Sequence, residues 1–411
     1  MWLLDRLLPK LIRKGRLTVI DPVGTAKSYG DGDPDWPALT MRLHDAKVAR
    51  DIIRDPRLGA GEAYMDGRYS IEGGDILDFV TFVRANRPWE SGDYGLKRPG
   101  AVRSLTTSIV GRVNRLNQRR SSRANVAHHY DLSDRLYDLF LDRDRQYSCA
   151  YWTDPANRLE QAQADKLAHI AAKLHLSAGQ KILDIGCGWG GMALYLNRTC
   201  DVDVLGITLS EEQLKVARER AVAAGVSERV RFELCDYRDV TGQFDRIVSV
   251  GMFEHVGPPN YREFFRTCHN RLTPQGVMLL HTIGRINKPG TTDAWTRKYI
   301  FPGGYSPSLS EIMKASERNK LMITDVEVLR LHYAYTLREW YKRVQDKQAE
   351  IEALYDARFF RMWSFYLAGA TAAFESGGMV NFQLQYSRDR HTLPITRDYM
   401  HEAEQALRAK G

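Results

Sequence analysis

Between residues 181 and 386 short apolar runs alternate with longer amphipathic stretches. Runs at 181–185, 202–207, 229–234, 245–250, 277–283 and 324–330, and the alternating VNFQLQY at 380–386, have the length of strands. The intervals are long enough for helices, so the pattern predicts an α/β fold: a seven-stranded, mostly parallel sheet with helices on both faces. Upstream, residues 15–85 carry short β-like pieces (RLTVID, ALTMRLH) between Gly, Asp and Pro turns and end in a helical stretch around Asp75–Arg84. That reads as a small α+β domain over residues 1–90, followed by a linker at 91–124 rich in Pro, Gly, Ser and Arg. A catalytic domain over 125–411 opens with HHYDLSDRLYDLFL, QYSCAYW and a helix at roughly 157–174. Two insertions, 284–308 and the aromatic-rich 332–378, follow late strands and are expected to cap the crevice at the strands' carboxyl ends.

The first strand runs straight into glycines: KILDIGCGWGG, residues 181–191, carries Gly186, Gly188, Gly190 and Gly191. Glycines at that spacing let backbone approach a ligand closely, and the following helix aims its free N–H groups at the same spot. The order DIGCGWG resembles the acidic-residue and glycine turn of class I S-adenosylmethionine methyltransferases, which implies their Rossmann-like fold. A nicotinamide enzyme is the competing reading, and no second glycine-rich phosphate loop supports it. On the methyltransferase reading Asp184 and the glycines cradle the methionine end of S-adenosylmethionine. The usual acid closing the second strand is replaced by Gly206-Ile207-Thr208, so Thr208 and Gln213 must supply polar contacts. Asp236 suits the adenine amine with Tyr237 near the ring, although Asp236 also reads as a helix cap or turn residue. Tyr147, Ser148 and Gly251 complete the cofactor set.

Composition narrows the class. The 411 residues allow a large and a small domain, and the apolar runs fall short of a bilayer span. Asp5 and Arg6 interrupt the apolar N-terminal stretch, and no signal-peptide cleavage pattern follows. Five cysteines without close pairing argue against a disulfide scaffold or a metal site and for a reducing cytoplasm. The net charge of +8 is concentrated at 97–123, where Lys97, Arg98, Arg103, Arg112, Arg115, Arg119, Arg120 and Arg123 occur with no acid among them. Val102, Leu105, Ile109, Val113 and Leu116 recur there at helical steps, as in a membrane-surface helix. A solvated interdomain helix fits the same pattern, and the N-terminal MWLLDRLLPKLIRKG shares the ambiguity.

The departure at Thr208, with QYSCAYW, GITLSEEQ, GMFEHVG, HTIG and YIFPGGY in order, resembles the cyclopropane fatty-acyl-phospholipid synthase family, which includes the mycolic acid cyclopropane synthases. The resemblance covers about 125–387, and RLHDAKVARDI with GEAYMDGRYSIEGGD extends it into the N-terminal domain. It implies that a lipid alkene attacks the methyl group of S-adenosylmethionine and that bound bicarbonate deprotonates the resulting cation. The implied bicarbonate residues are Cys149, Glu254, His281, Ile283 and Tyr333, with His255 beside them. Such a cation requires a dry site, where the faces of Tyr147, Phe253, Tyr305 and Tyr333 could stabilise it. Blander readings stand beside these: Cys149 as a small buried residue, His281 as a core histidine, and His128, His129 and His332 as structural. The stripe Phe359, Phe360, Trp363, Phe365, Tyr366 reads as helix packing plus an acyl-channel wall. The implied partners are unsaturated phospholipid acyl chains and the inner membrane face, contacted peripherally, and analogy alone implies a homodimer. Competing functions are a lipid C-methyltransferase, a nucleic-acid methyltransferase, which lacks any recognisable RNA module, and a non-catalytic lipid-binding protein.

Overall fold

The alternation in RLTVI and ALTMRL builds the first sheet. In the computed structural model, which describes residues 4–92 and 133–410, these segments are β1 (Arg16–Ile20) and β3 (Ala38–Leu43). They pair in parallel, with β2 (Ala26–Tyr29) and β4 (Tyr69–Glu72) antiparallel outside them in the order β2-β1-β3-β4. Leu17, Val19, Leu39, Met41 and Leu43 are buried. Helix Ile76–Ala85 starts where expected because Asp75 and Asp78 form a reciprocal capping box. The N-terminal apolar residues Leu4, Leu8 and Ile12 are buried, while Asp5 accepts from the Tyr29 hydroxyl at 2.5 Å and pairs with Lys27 at 2.9 Å. That segment therefore packs on the protein. The 97–123 stretch, His128 and His129 lie outside the described residues.

The N-terminal sheet shares its compact unit with residues 292–301 and 334–378. Nearly all of the 332–378 insertion, but only 292–301 of the 284–308 insertion, thus belongs with the N-terminal sheet. The reason is packing: a Cβ on Gly61 of helix Pro56–Met65 would meet Trp295 at 2.4 Å and Phe365 of helix Ala357–Glu375 at 2.9 Å. Trp295 and Phe365 meet edge to face at 4.9 Å, and the rim is tied by Lys298–Glu62 at 2.6 Å and Arg358–Asp66 at 2.8 Å. Within the aromatic stripe Phe359 stacks on Trp363 at 5.9 Å, which is helix packing.

The second unit holds residues 133–291, 302–333 and 379–410 among those described. Its strands are β5 (Lys181–Ile185), β6 (Asp203–Thr208), β7 (Val230–Leu234), β8 (Phe244–Val250), β9 (Leu272–Arg285), β10 (Met322–Leu329) and β11 (Met379–Ser387). The order is β10-β11-β9-β8-β5-β6-β7, with β11 alone running against the rest. The expected strands are all present. The main boundary error is β9, which starts at Leu272 because Leu272 pairs with Phe244 ahead of Pro274 and Gly276. One face packs a core around Phe253, Phe264, Phe265 and Tyr386, the other around Leu167, Ile170, Leu196 and Leu279. The chain leaves β5 toward β6 and β7, then returns to β8 on its other side, so the crevice at the carboxyl ends of β5 and β8 is the topological switch point.

Candidate active site

The cleft at that switch point is built from the ends of successive strands. Gly186 and Gly188 take φ of +85° and +54°, values that favour glycine, and a Cβ on Gly186 would strike Met252 at 2.7 Å. Gly190, at +83°, begins helix Gly191–Cys200 but does not line the cleft. Tyr147, Ser148, Asp184, Gly186, Gly188, Thr208, Gln213, Asp236, Tyr237 and Gly251 all do.

Local hydrogen bonds decide what each group can still offer. The Thr208 hydroxyl donates to Gln213 Oε1 at 2.9 Å, which leaves the Gln213 NH₂ to the cleft. Asp184 is buried, Oδ2 has no partner among the described residues, and desolvation pushes its pKa up to about 7. Asp236 is held more firmly than expected. Arg238 donates to both its oxygens at 2.8 and 2.6 Å, and the Arg238 backbone N–H adds a third bond at 3.0 Å. It is therefore a turn residue as well as part of the cleft wall.

The residues assigned to the chemistry sit further back. Glu254, in the turn after β8, accepts the Ile283 backbone N–H at 2.6 Å, so these two meet although distant in sequence. Among the described residues its buried Oε2 meets no donor in good hydrogen-bond geometry, and burial raises its pKa to about 7 against the opposing pull of the Ile283 N–H and the nearby Thr282 hydroxyl. His255 lines the cleft and is held neutral, its pKa lowered by burial to about 4.

Cys149, His281 and Tyr333 are buried and do not line the cofactor cleft. Burial drives the Cys149 thiol far above its ordinary range, so it is no thiolate. His281 is engaged at both ring nitrogens by β11: Gln383 at Nδ1 and Asn381 at Nε2, each at 3.1 Å. Gln383 receives Lys173 Nζ on its oxygen at 2.9 Å, so its NH₂ donates to His281 Nδ1 and the ring proton belongs on Nε2, where the Asn381 amide must turn its otherwise unpartnered Oδ1 to accept it. With Lys166 and Lys173 nearby, burial lowers the His281 pKa to about 3. His332 accepts the Trp152 N–H at 2.9 Å and stacks on Tyr151, the structural role expected of it.

Three of the four aromatic residues expected near the cation, Phe253, Tyr305 and Tyr333, do not line the cofactor cleft. Phe253 stacks on Tyr261 at 4.2 Å within the core, and the Tyr305 hydroxyl donates to Glu311 at 2.8 Å, so neither faces the cleft. Tyr147 lines it and packs against Tyr137 at 5.4 Å.

Residues 117–384 match the family described as mycolic acid cyclopropane synthetase. The chain belongs to this family. It is 39% identical over 350 residues to the cyclopropane-fatty-acyl-phospholipid synthase of Escherichia coli K12, covering 85% of this chain and 87% of that one. A tuberculostearic acid methyltransferase of Mycobacterium tuberculosis is 35% identical over 398 residues, 94% of this chain and 91% of its own length. The crystal structure of a mycolic acid cyclopropane synthase complexed with SAH and CTAB superposes with a TM-score of 0.62 at 34% identity, over 64% of this chain and 98% of that one. This family member is an enzyme that uses S-adenosylmethionine to modify lipid. Its cleft fits the cofactor: the unpartnered Asp184 oxygen awaits a donor, and Gly188 leaves open space where a side chain would intrude.

Pattern reading missed Gln146, Trp189, Arg238, Met252 and Asn260 on the cleft wall, and Lys166 and Lys173 behind it. Gln146 opens the motif QYSCAYW, and Trp189 and Met252 lie inside KILDIGCGWGG and GMFEHVG, so these three were within reach. The lysines were not, because nothing in an amphipathic helix says that its cationic positions will be buried.

Proposed function

We propose that this enzyme transfers a methylene group to a cis double bond of an unsaturated phospholipid acyl chain, forming a cyclopropane ring, with bicarbonate as the base. The observation that carries the reading is Glu254 on the Ile283 amide, with its second oxygen buried and lacking a well-aligned donor among the described residues, beside the carboxyl ends of β8 and β9. A carboxyl whose pKa lies near 7 can share a proton with a small anion instead of repelling it. Bound S-adenosylmethionine supplies the electrophilic methyl group. The protein's part is to hold the cofactor at Asp184, Thr208 and Gln213 and to exclude water from the developing cation through Cys149, Ile283 and Tyr333. His281, neutral with its proton on Nε2, is suited to donate to an anion when Asn381 yields that position.

A methyl-branched product is the second reading, favoured by the likeness to a tuberculostearic acid methyltransferase. Labelled cofactor separates the two. With a CD3 donor and vesicles of cis-unsaturated phospholipid, a cyclopropane retains two deuteriums because the base removes one from the transferred carbon. A methyl branch retains all three when the proton leaves a chain carbon, whereas loss from the transferred carbon without ring closure gives an exocyclic methylene that also keeps two and is told from the ring by proton NMR. We expect the doubly deuterated ring by mass spectrometry, together with a bicarbonate requirement in carbonate-depleted buffer, and a dominant product with three deuteriums overturns the ring assignment.

A further inference from the structure

Helix Leu159–Leu174 carries a lysine that no role above uses. Lys166 is fully buried, and its ammonium donates to Gln146 Oε1 at 2.6 Å and Ser148 Oγ at 2.9 Å. Among the described residues no carboxylate lies within 4.0 Å of it. Its strongest charged neighbour, Asp142, is already held by the backbone N–H groups of Gln146 at 2.9 Å and Asp144 at 3.0 Å. A buried ammonium facing neutral acceptors loses several kcal/mol of hydration, which points to an anionic ligand as its counterpart.

The two acceptors say where that ligand sits. Gln146 and Ser148 both line the cleft. Because Lys166 occupies the Gln146 oxygen, the NH₂ of that amide is turned to Gly191, where a built Cβ would lie 2.2 Å from Nε2. That is the start of helix Gly191–Cys200, whose first N–H groups point outward. Ser148, accepting from Lys166, keeps its hydroxyl proton for another partner. Ammonium, amide and hydroxyl thus form a donor array with the positive end of a helix beside it.

We propose that Lys166 is the countercharge for a carboxylate-type anion seated at Ser148 and Gln146, drawn from one of two sources. One is the amino-acid carboxylate of the cofactor. The other is free bicarbonate, and that branch alone rests on the function proposed above. Lys166 acts as a positioning residue: it reaches the ligand through Ser148 and Gln146 and sets which of their atoms face it.

The test uses the full-length enzyme. Calorimetry with S-adenosylhomocysteine and with its decarboxylated analogue is run on wild type, Lys166→Met and Lys166→Arg. If the cofactor carboxylate is the ligand, Lys166→Met weakens S-adenosylhomocysteine at least ~10-fold, leaves the analogue within about twofold, and Lys166→Arg restores part of the loss. If bicarbonate is the ligand, both nucleosides bind unchanged and the bicarbonate concentration for half-maximal turnover rises at least ~10-fold. A folded Lys166→Met protein with all three quantities within twofold of wild type overturns the proposal. Should that variant not fold, the wild type decides each branch by itself. Equal affinity for the two nucleosides removes the carboxylate branch, and turnover indifferent to bicarbonate removes the other. A methyl-branched product from CD3 cofactor refutes the ring reading separately, because nucleoside binding does not depend on it.

Discussion

Single side chains in this protein are defined by what already holds them. Asp236 reads from sequence as an adenine acceptor, yet Arg238, two residues on, takes both its oxygens. His281 reads as an anion ligand, and a chain from Lys173 through Gln383 fixes its proton on Nε2. Glu254 is the clearest candidate, with one oxygen on the Ile283 amide and the other buried with no well-aligned donor among the described residues. Glu254→Gln keeps an oxygen for that amide, so S-adenosylhomocysteine affinity should stay within about twofold while turnover falls at least ~100-fold. The folded pKa of about 7 lies above the ordinary glutamate value of 4.5. The carboxyl's contribution to stability is therefore present below pH about 4.5 and is lost as pH rises through about 7. A neutral glutamine has no such loss, so the stability of Glu254→Gln relative to wild type should grow between pH 5 and 8, by at most about 3 kcal/mol. Denaturant melts at several pH values would show it, and a pH-independent difference would mean that the carboxyl is not desolvated. His281→Ala should also lose turnover with cofactor affinity retained. It should in addition lower stability, because buried Asn381 and Gln383 lose their ring partner at about 1–3 kcal/mol each.

Elements are set by short-range pattern and refined by what packs on them. The seven strands of the second sheet, the Asp75–Asp78 cap and helix Leu159–Leu174 were all readable from periodicity and end signals. Gly206, in β6, is kept small by what packs on it. A Cβ there would meet the Phe232 ring of β7 at 2.6 Å and Cys187 at 2.9 Å. The same ring lies 2.7 Å from a Cβ built on Gly190, so one phenylalanine fills the space that two glycines leave. Gly206→Ala should then push Phe232 toward the glycine turn, lowering stability by about 1–3 kcal/mol and weakening S-adenosylhomocysteine binding several-fold. Thermal melts with calorimetry would measure both. Unchanged values would show that Phe232 can move away without disturbing the turn.

At the scale of the whole molecule, the described residues contain no helix long and apolar enough to cross a membrane, and the function proposed above calls for contact with bilayer lipid. We propose that the arginine-rich 97–123 stretch, outside the described residues, supplies that contact through anionic headgroups. Replacing Arg115, Arg119, Arg120 and Arg123 with Gln should weaken binding to anionic vesicles by about 1 kcal/mol per charge, and the wild type should lose affinity at high salt. Vesicle binding unchanged by the substitutions, with only the melting temperature lowered, would make the stretch an interdomain strut. What the sequence by itself determined is whatever depends on neighbours a few residues away: strand and helix identity, the glycine turn, the order of motifs and hence the family. The tertiary structure alone decided which distant groups meet. It brought the 292–301 and 334–378 insertions to the N-terminal sheet, Glu254 to the Ile283 amide, and Lys166 to Gln146 and Ser148. The physical reason is that periodicity records which face of an element is buried, whereas the partner against which it is buried, and so its charge and proton state, is set by chain topology.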